Sequence, residues 1–430
     1  MGAEGHQRKL AAGGWPLLAG VFAIIMAFLL VDSRFRLYGL PYYDCVALVL
    51  FGVVALSFLK SPADLEKAGW RPLLVRMLPL WLLISVVELW FAVPEGYESA
   101  DFIRVGDRAL LRVLFSTGMY VLGWLAVRKN PRAAYVVGWA WIASLLVLGV
   151  VTLDQLDSVR SRFTGWFEDP NYFAGYVAAA TTVVLAWTLA PTSGWKAWAG
   201  RLLAGVAALG GAAAIALSYS RGGVLTLATG VGATAVAFVI SYGLRAWRIL
   251  PAMAGIAVVA LWIVQNSRLS SLAGRLTISS ALETGGTGRV KIWQMAWDHL
   301  WGHPAGTGIG TRVYWGALER YMATHNALLE MGVQLGLLGL AVGCWFLLVQ
   351  GYDSLRLLRA ADPRARAFGA AGIALLVCAM TLDVLTWRHY WFVMGLIGGM
   401  ATALPRSTER PAASQDGPGR RGGVSPGAVG

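Results

Sequence analysis

RYMATHNALLEMGVQLGLLGLAVGCWFLLVQ runs from Arg320 to Gln350. From Asn326 onward Glu330 is its only charged residue, and the run is long enough as a helix to cross the roughly 30 Å of a bilayer's hydrocarbon. A titratable His325 and an Asn326 stand at its mouth, with Glu330 one turn inside. The run therefore predicts a membrane span with a polar group held at one of its ends.

The composition extends that reading to the whole chain. Hydrophobic residues make up 57% and charged residues only 14%, which excludes an ordinary soluble domain. About twelve apolar windows of spanning length recur, near residues 15–31, 42–59, 77–93, 109–127, 134–152, 171–190, 201–218, 223–243, 249–265, 326–350, 367–386 and 388–404. The expected fold is an all-α integral membrane protein with a polytopic domain over 1–404. One large, partly helical loop is expected over 266–324, and a disordered Gly-, Pro-, Ser- and Arg-rich tail over 405–430. The first span follows Arg8 and Lys9 and is followed by VDSRFRLYGLPYYD, without a small-residue cleavage site, so it reads as a retained anchor.

Lys and Arg collect in alternate short loops, at Lys60, Lys67, Arg71 and Arg76, then Arg128, Lys129 and Arg132, then Lys196 and Arg201, Arg245 and Arg248, and Arg356 to Arg366. The positive-inside rule places these loops and both termini in the cytoplasm. Much of the formal charge of +13 is thereby explained by topology, and nucleic-acid binding is not expected. Cys45, Cys344 and Cys378 lie inside predicted spans without paired spacing and read as packing residues.

Other basic residues violate that rule. Arg160, Arg162, Arg221, Arg268, Arg275, Arg289, Arg312, Arg320 and Arg388 fall on the predicted outer side, with His299, His303, His325 and His389. The guanidinium fork matches phosphate oxygens, so the set suggests an anionic ligand held near the membrane surface. Local pairing with Asp154, Asp157, Glu283 or Asp298 is the plainer alternative.

Three segments sharpen the expectation. RFTGWFEDPNYFAGY (Arg162 to Tyr176) carries a helix-start signal at Asp169-Pro170-Asn171 that places Asn171 at the mouth of a span. LSYSRGG (Leu217 to Gly223) is a tight connection that holds Ser220 and Arg221 where a charge is a functional candidate. GTGRVKIWQMAWDHLWGHPAGTGIGTR (Gly286 to Arg312) starts a helix at Arg289 and ends it in a glycine run. His299 and His303 have metal-pair spacing, but Gly302 and Pro304 break the helix and no Glu lies between them, so no metal is expected. GTGIG follows a helix rather than a strand and reads as a structural turn. His325, with an ordinary pKa near 6.5, suits a general base that takes a proton from a hydroxyl, against the alternative of an interfacial histidine bonded to a loop. Glu330 is about 140° round an ideal helix from His325, so a buried pairing with an arginine is the expectation for it. Gly332, Gly336 and Gly339 suggest close helix packing.

Taken in order, these segments resemble the O-antigen ligase and polymerase superfamily of bacterial polysaccharide assembly. The resemblance rests on Asp169-Pro170-Asn171, on Ser220-Arg221-Gly222-Gly223, on Thr287-Gly288-Arg289 with Trp293, on His303-Pro304 with Gly306 and Gly308, and on His325-Asn326 with Leu329 and Glu330. It covers about the second half of the chain.

The resemblance implies a metal-independent, cofactor-free inverting glycosyltransferase in the bacterial inner membrane, working at the periplasmic face. Its donor would be a glycan on undecaprenyl pyrophosphate. Arg221 and Arg289 would hold the pyrophosphate, with Arg162 and Arg312 as weaker candidates. His325 would be the base and Asn326 would orient the site, with Asn171, Ser220 and Glu330 in support. A ligase would use a lipid A-core sugar as acceptor, a polymerase a second lipid-linked unit, and a related branch a protein hydroxyl. The ligase is favoured by the single large late loop. A transporter of lipid-linked sugar would instead place ionisable residues at mid-membrane.

Overall fold

The computed structural model describes residues 15–30, 36–37, 40–59, 69–90, 98–99, 102–104, 108–155, 162–165, 167, 169–189, 194–243, 251, 254–255, 258, 289–315 and 320–404. The predicted span at 249–265, most of the large loop before Arg289, and the tail from 405 lie outside them, as do Arg160, Arg268, Arg275 and Glu283.

The helices are α1 (Trp15–Leu30), α2 (Tyr42–Leu59), α3 (Trp70–Trp90), α4 (Arg108–Lys129), α5 (Arg132–Asp154), α6 (Pro170–Leu189), α7 (Trp195–Ser218), α8 (Arg221–Tyr242), α9 (Arg289–Gly302), α10 (Ala327–Leu358), α11 (Pro363–Thr381) and α12 (Arg388–Ala403). Each predicted span apart from 249–265 coincides with one of them. Eight (α3 to α8, α10 and α11) are long and apolar enough to cross a membrane. Helices α1 and α2 have shorter apolar stretches, Pro16–Phe28 and Cys45–Val54, and α12 has 16 residues. This is a polytopic helical membrane protein with fewer full-length spans among the described residues than the hydropathy pattern alone suggests.

The bundle packs through small residues, as expected where lipid removes the hydrophobic drive for association. Helices α4 and α12 cross so closely that a Cβ on Gly395 would lie 2.0 Å from the Tyr120 carbonyl, and one on Gly123 would lie 2.2 Å from that of Phe392. Helix α6 is enclosed by α7, α8 and α11, and its run from Phe173 to Ala186 is buried. At the end of the bundle away from the site, Arg76 of α3 pairs with Asp353 of α10. Gln350 donates to Tyr120 Oη at 2.8 Å beside that pair. Cys378 is buried and Cys45 and Cys344 are half-buried, all as free thiols, in keeping with packing roles.

The all-helical expectation needs one correction. A four-stranded antiparallel sheet stands on the loop side, in the order β3 (Glu98–Ser99), β4 (Phe102–Arg104), β5 (Thr311–Trp315) and β6 (Arg320–Met322). Its central pairing, Ile103 opposite Arg312, joins the connection between α3 and α4 to the late loop. A second small hairpin, β1 (Arg36–Leu37) with β2 (Leu40–Pro41), precedes α2. The strands are rich in Thr, Val, Tyr, Trp, Ile and Phe, but they are too short to show alternation, and the partner of β5 lies far away in sequence.

Candidate functional site at the loop face of the bundle

The site is assembled where α6, α8, α10 and α12 begin and α7 and α11 end. Asp169 caps α6, its Oδ1 accepting the N–H of Asn171 at 2.6 Å and of Tyr172 at 3.3 Å. Asn171 is thereby released from capping. Its Oδ1 accepts from Arg162 Nη2 at 2.9 Å and from Ser220 Oγ at 2.8 Å. Arg162 Nε donates to the Ser218 carbonyl at 2.8 Å. Asn171 thus clasps the Arg162 segment to the α7–α8 connection.

That connection is as tight as its sequence predicts. Tyr219, at φ 49° and ψ 34°, takes the left-handed conformation that closes α7, and Ser220 caps α8 by accepting the Gly223 N–H at 3.2 Å. Arg221 is therefore the first residue of α8, at the positive end of the helix dipole.

Two consecutive main-chain carbonyls at the end of α11 draw the remaining pieces together. Arg289 Nη1 donates to the Thr381 carbonyl at 2.9 Å, and Asn326 Nδ2 donates to the Met380 carbonyl at 3.1 Å. A Cβ on Gly222 would lie 3.4 Å from Thr381 Oγ1, so the start of α8 rests on the same point. Segments far apart in sequence, carrying Arg221, Arg289 and His325-Asn326, thus meet at Met380-Thr381. Burial pushes the Arg289 pKa down; Asp169 opposes the shift and the nearby Arg221 charge adds to it. Two guanidinium groups that repel each other form a place an anion would relieve.

Asn326 caps α10, with its Oδ1 accepting the N–H groups of Leu328 at 3.0 Å and Leu329 at 3.1 Å. Its carboxamide is occupied at both ends. His325, at φ 52°, shares with Tyr219 the distinction of a positive φ on a residue other than glycine among those described. Such backbone costs about 1–3 kcal/mol and persists only where its surroundings impose it.

Glu330 corrects one expectation. Its carboxylate does not take an arginine as hydrogen-bond partner; Oε2 accepts from Thr324 N at 2.9 Å and Thr324 Oγ1 at 2.8 Å, and Oε1 from Gln334 Nε2 at 2.6 Å. Arg312 is exposed at the start of β5 and reaches this region through its charge, acting on buried Asp383. Asp383, between α11 and α12, is a residue that sequence reading missed. Burial raises its pKa, with the Leu385 N–H and Arg312 acting in the other direction. Its one sequence signal is an acid between two apolar runs, in TLDVLTW.

The glycine run is structural, as read, but its docking partner was not foreseen. Helix α10 is broken at Gly336, with φ 71° and ψ −162°. The HPAGTG turn fills the break: Thr307 N donates to the Val333 carbonyl at 3.2 Å, Gly308 N to Gln334 at 2.9 Å, and Leu337 N to Pro304 at 2.9 Å. Ile309 N donates to Glu88 Oε1 at 2.7 Å, tying the turn to α3. The expected packing stripe is therefore interrupted, since a Cβ on Gly336 would lie 2.2 Å from the Pro304 carbonyl. Gly336→Ala is expected to lower stability by on the order of 1–3 kcal/mol, read as an earlier thermal unfolding transition in detergent. His299 and His303 stack with ring centroids 4.3 Å apart, and His299 Nε2 lies 3.2 Å from Thr307 Oγ1. Burial, with the neighbouring His303, pushes the His299 pKa down to about 4. The pair supports the turn.

Fold and site define a polytopic membrane protein with paired arginines and a histidine at one end of its helix bundle. Residues 206–344, about a third of the chain, match the family model described as O-antigen ligase, Wzy_C. The match includes Ser220, Arg221, Arg289, Arg312, His325, Asn326 and Glu330, and leaves Arg162, Asn171 and Asp383 outside it. No curated protein matches the chain.

Proposed function

We propose that the protein is a glycosyltransferase of the ligase type, moving a glycan from undecaprenyl pyrophosphate to a hydroxyl of lipid A-core at the periplasmic face of the bacterial inner membrane. The observation that carries this reading is the meeting at Met380-Thr381 of Arg289, Asn326 and the start of α8, the segments that carry Arg221 and His325. Within the O-antigen ligase family the transferred group is a lipid-linked glycan. An anion held between arginines beside a histidine is the arrangement such a transfer requires.

In the proposed reaction the acceptor oxygen attacks the anomeric carbon while an imidazole nitrogen of His325 takes its proton. The bond from that carbon to the pyrophosphate oxygen breaks, its electron pair stays on the leaving group, and configuration inverts. Arg221 and Arg289 stabilise the charge that develops there, and Arg162 and Arg312 extend the positive field. Fixed guanidinium charges serve the purpose a divalent cation would otherwise serve. Asn326, Asn171, Ser220 and Glu330 hold the charged and basic groups in place. The periplasmic placement is supported by Arg128, Lys129, Arg132, Arg356, Arg359, Arg364 and Arg366, which collect at the helix ends away from the site.

A transfer assay on the purified protein tests the reading. Undecaprenyl-pyrophosphate glycan with lipid A-core is expected to give glycosylated lipid A-core, in the presence of chelator as in its absence. Longer lipid-linked chains formed without lipid A-core would make the protein a polymerase, and loss of activity with chelator would overturn the arginine-only mechanism.

A further inference from the structure

We propose that Trp293 and Glu330 are positioning residues that set the turn carrying His325, and that Trp293 couples this turn to the helix that holds the donor. The proposal rests on the reading of His325 as base and Arg289 as pyrophosphate ligand, and deepens it.

Thr324, the residue before His325, is 1% exposed, and each of its polar groups is engaged. Its N–H donates to Glu330 Oε2 at 2.9 Å, and its hydroxyl lies 2.8 Å from the same oxygen. Its carbonyl accepts the indole N–H of Trp293 at 2.9 Å. Glu330 is itself 2% exposed and is fixed at its other oxygen by Gln334. The next residue, His325, sits in left-handed backbone, where a Cβ crowds the following carbonyl oxygen. A threonine gripped from both sides supplies what holds that conformation. Without the grip the chain relaxes and the imidazole swings out of line.

Trp293 lies four residues after Arg289 on α9, one helical turn along the same face. The helix that places its first residue on Thr381 therefore places a residue one turn later on Thr324. Any shift of α9 as Arg289 engages pyrophosphate is passed through the indole to the backbone beside His325. Donor binding and orientation of the base become one mechanical event, which restricts proton removal to the loaded enzyme.

The test is steady-state transfer by the full-length protein in detergent, with undecaprenyl-pyrophosphate glycan varied at saturating lipid A-core, alongside thermal unfolding of each variant. Trp293→Phe, which keeps the ring and removes the N–H, is expected to lower kcat about 10- to 100-fold with the donor KM within about twofold. Glu330→Gln is expected to follow it. Thr324→Val, which keeps the main-chain groups, should lower kcat as well, and Thr324→Ser, which keeps every polar group, should restore it. Thr324→Val carries the test if Trp293→Phe fails to fold. Wild-type kcat in folded Trp293→Phe and Glu330→Gln, with His325→Ala and Arg289→Ala impaired, would overturn the positioning role and leave the site standing. Wild-type turnover in His325→Ala and Arg289→Ala would overturn the reading of the site, and this proposal with it.

Discussion

His325→Ala is expected to lower kcat for glycan transfer by about 10²- to 10⁴-fold, the range general-base catalysis supplies, while the protein stays folded and binds its donor. The hydrogen bonds that hold the turn are made by other side chains. Capping of α10 belongs to Asn326, whose Oδ1 takes the Leu328 and Leu329 N–H groups. The fixing of residue 324 belongs to Glu330 and Trp293. Removing the imidazole leaves these hydrogen bonds in place. The variant should therefore unfold at a temperature close to that of the wild type and fail at the proton transfer. Asn326→Ala would behave differently, because it strips the cap and the tie to Met380 together.

The double variant Arg221→Ala with Arg289→Ala is expected to lose donor affinity and turnover together. Hydrogen bonds to charged groups contribute about 1.5–3 kcal/mol each, so the pair removes on the order of 10²- to 10⁴-fold in kcat/KM for the donor. Each single variant should show a smaller part of that loss. Arg289→Lys should recover little, since an ammonium group keeps the charge and loses the planar fork. Stability should fall less than activity. Arg289 donates to a carbonyl that a water molecule can satisfy in its absence, and removing one of two like charges reduces their repulsion.

What the sequence discloses and what it conceals divide along physical lines. Apolar windows of spanning length announce α3 to α8, α10 and α11, because lipid demands continuous hydrophobic runs. Arg221 and Arg289 stand out because positive charge on the predicted outer side has no topological use. The cap at Asp169 and the tight connection at Ser220 are local, and local chemistry is legible. Long-range partners are not. Nothing near Thr381 in sequence says that its carbonyl receives Arg289, or that the neighbouring Met380 carbonyl receives Asn326. The burial of Asp383 is hidden for the same reason. A buried carboxylate calls for a partner, so the sequence points Glu330 toward an arginine, whereas Thr324 and Gln334 supply neutral hydrogen-bond donors. Gly336 sits in a spacing that suggests helix packing, and only the docked HPAGTG turn shows that it opens the helix. The four-stranded sheet pairs residues from opposite halves of the chain, with β strands too short for any period to be read.

The most direct test of the central claim measures binding and chemistry separately at this one site. Purified wild type, His325→Ala and the Arg221→Ala, Arg289→Ala double variant would be titrated with undecaprenyl pyrophosphate, then assayed for transfer. The account predicts that wild type and His325→Ala bind the pyrophosphate alike, that the double variant loses binding, and that only the wild type transfers glycan. Wild-type affinity in the double variant would contradict it.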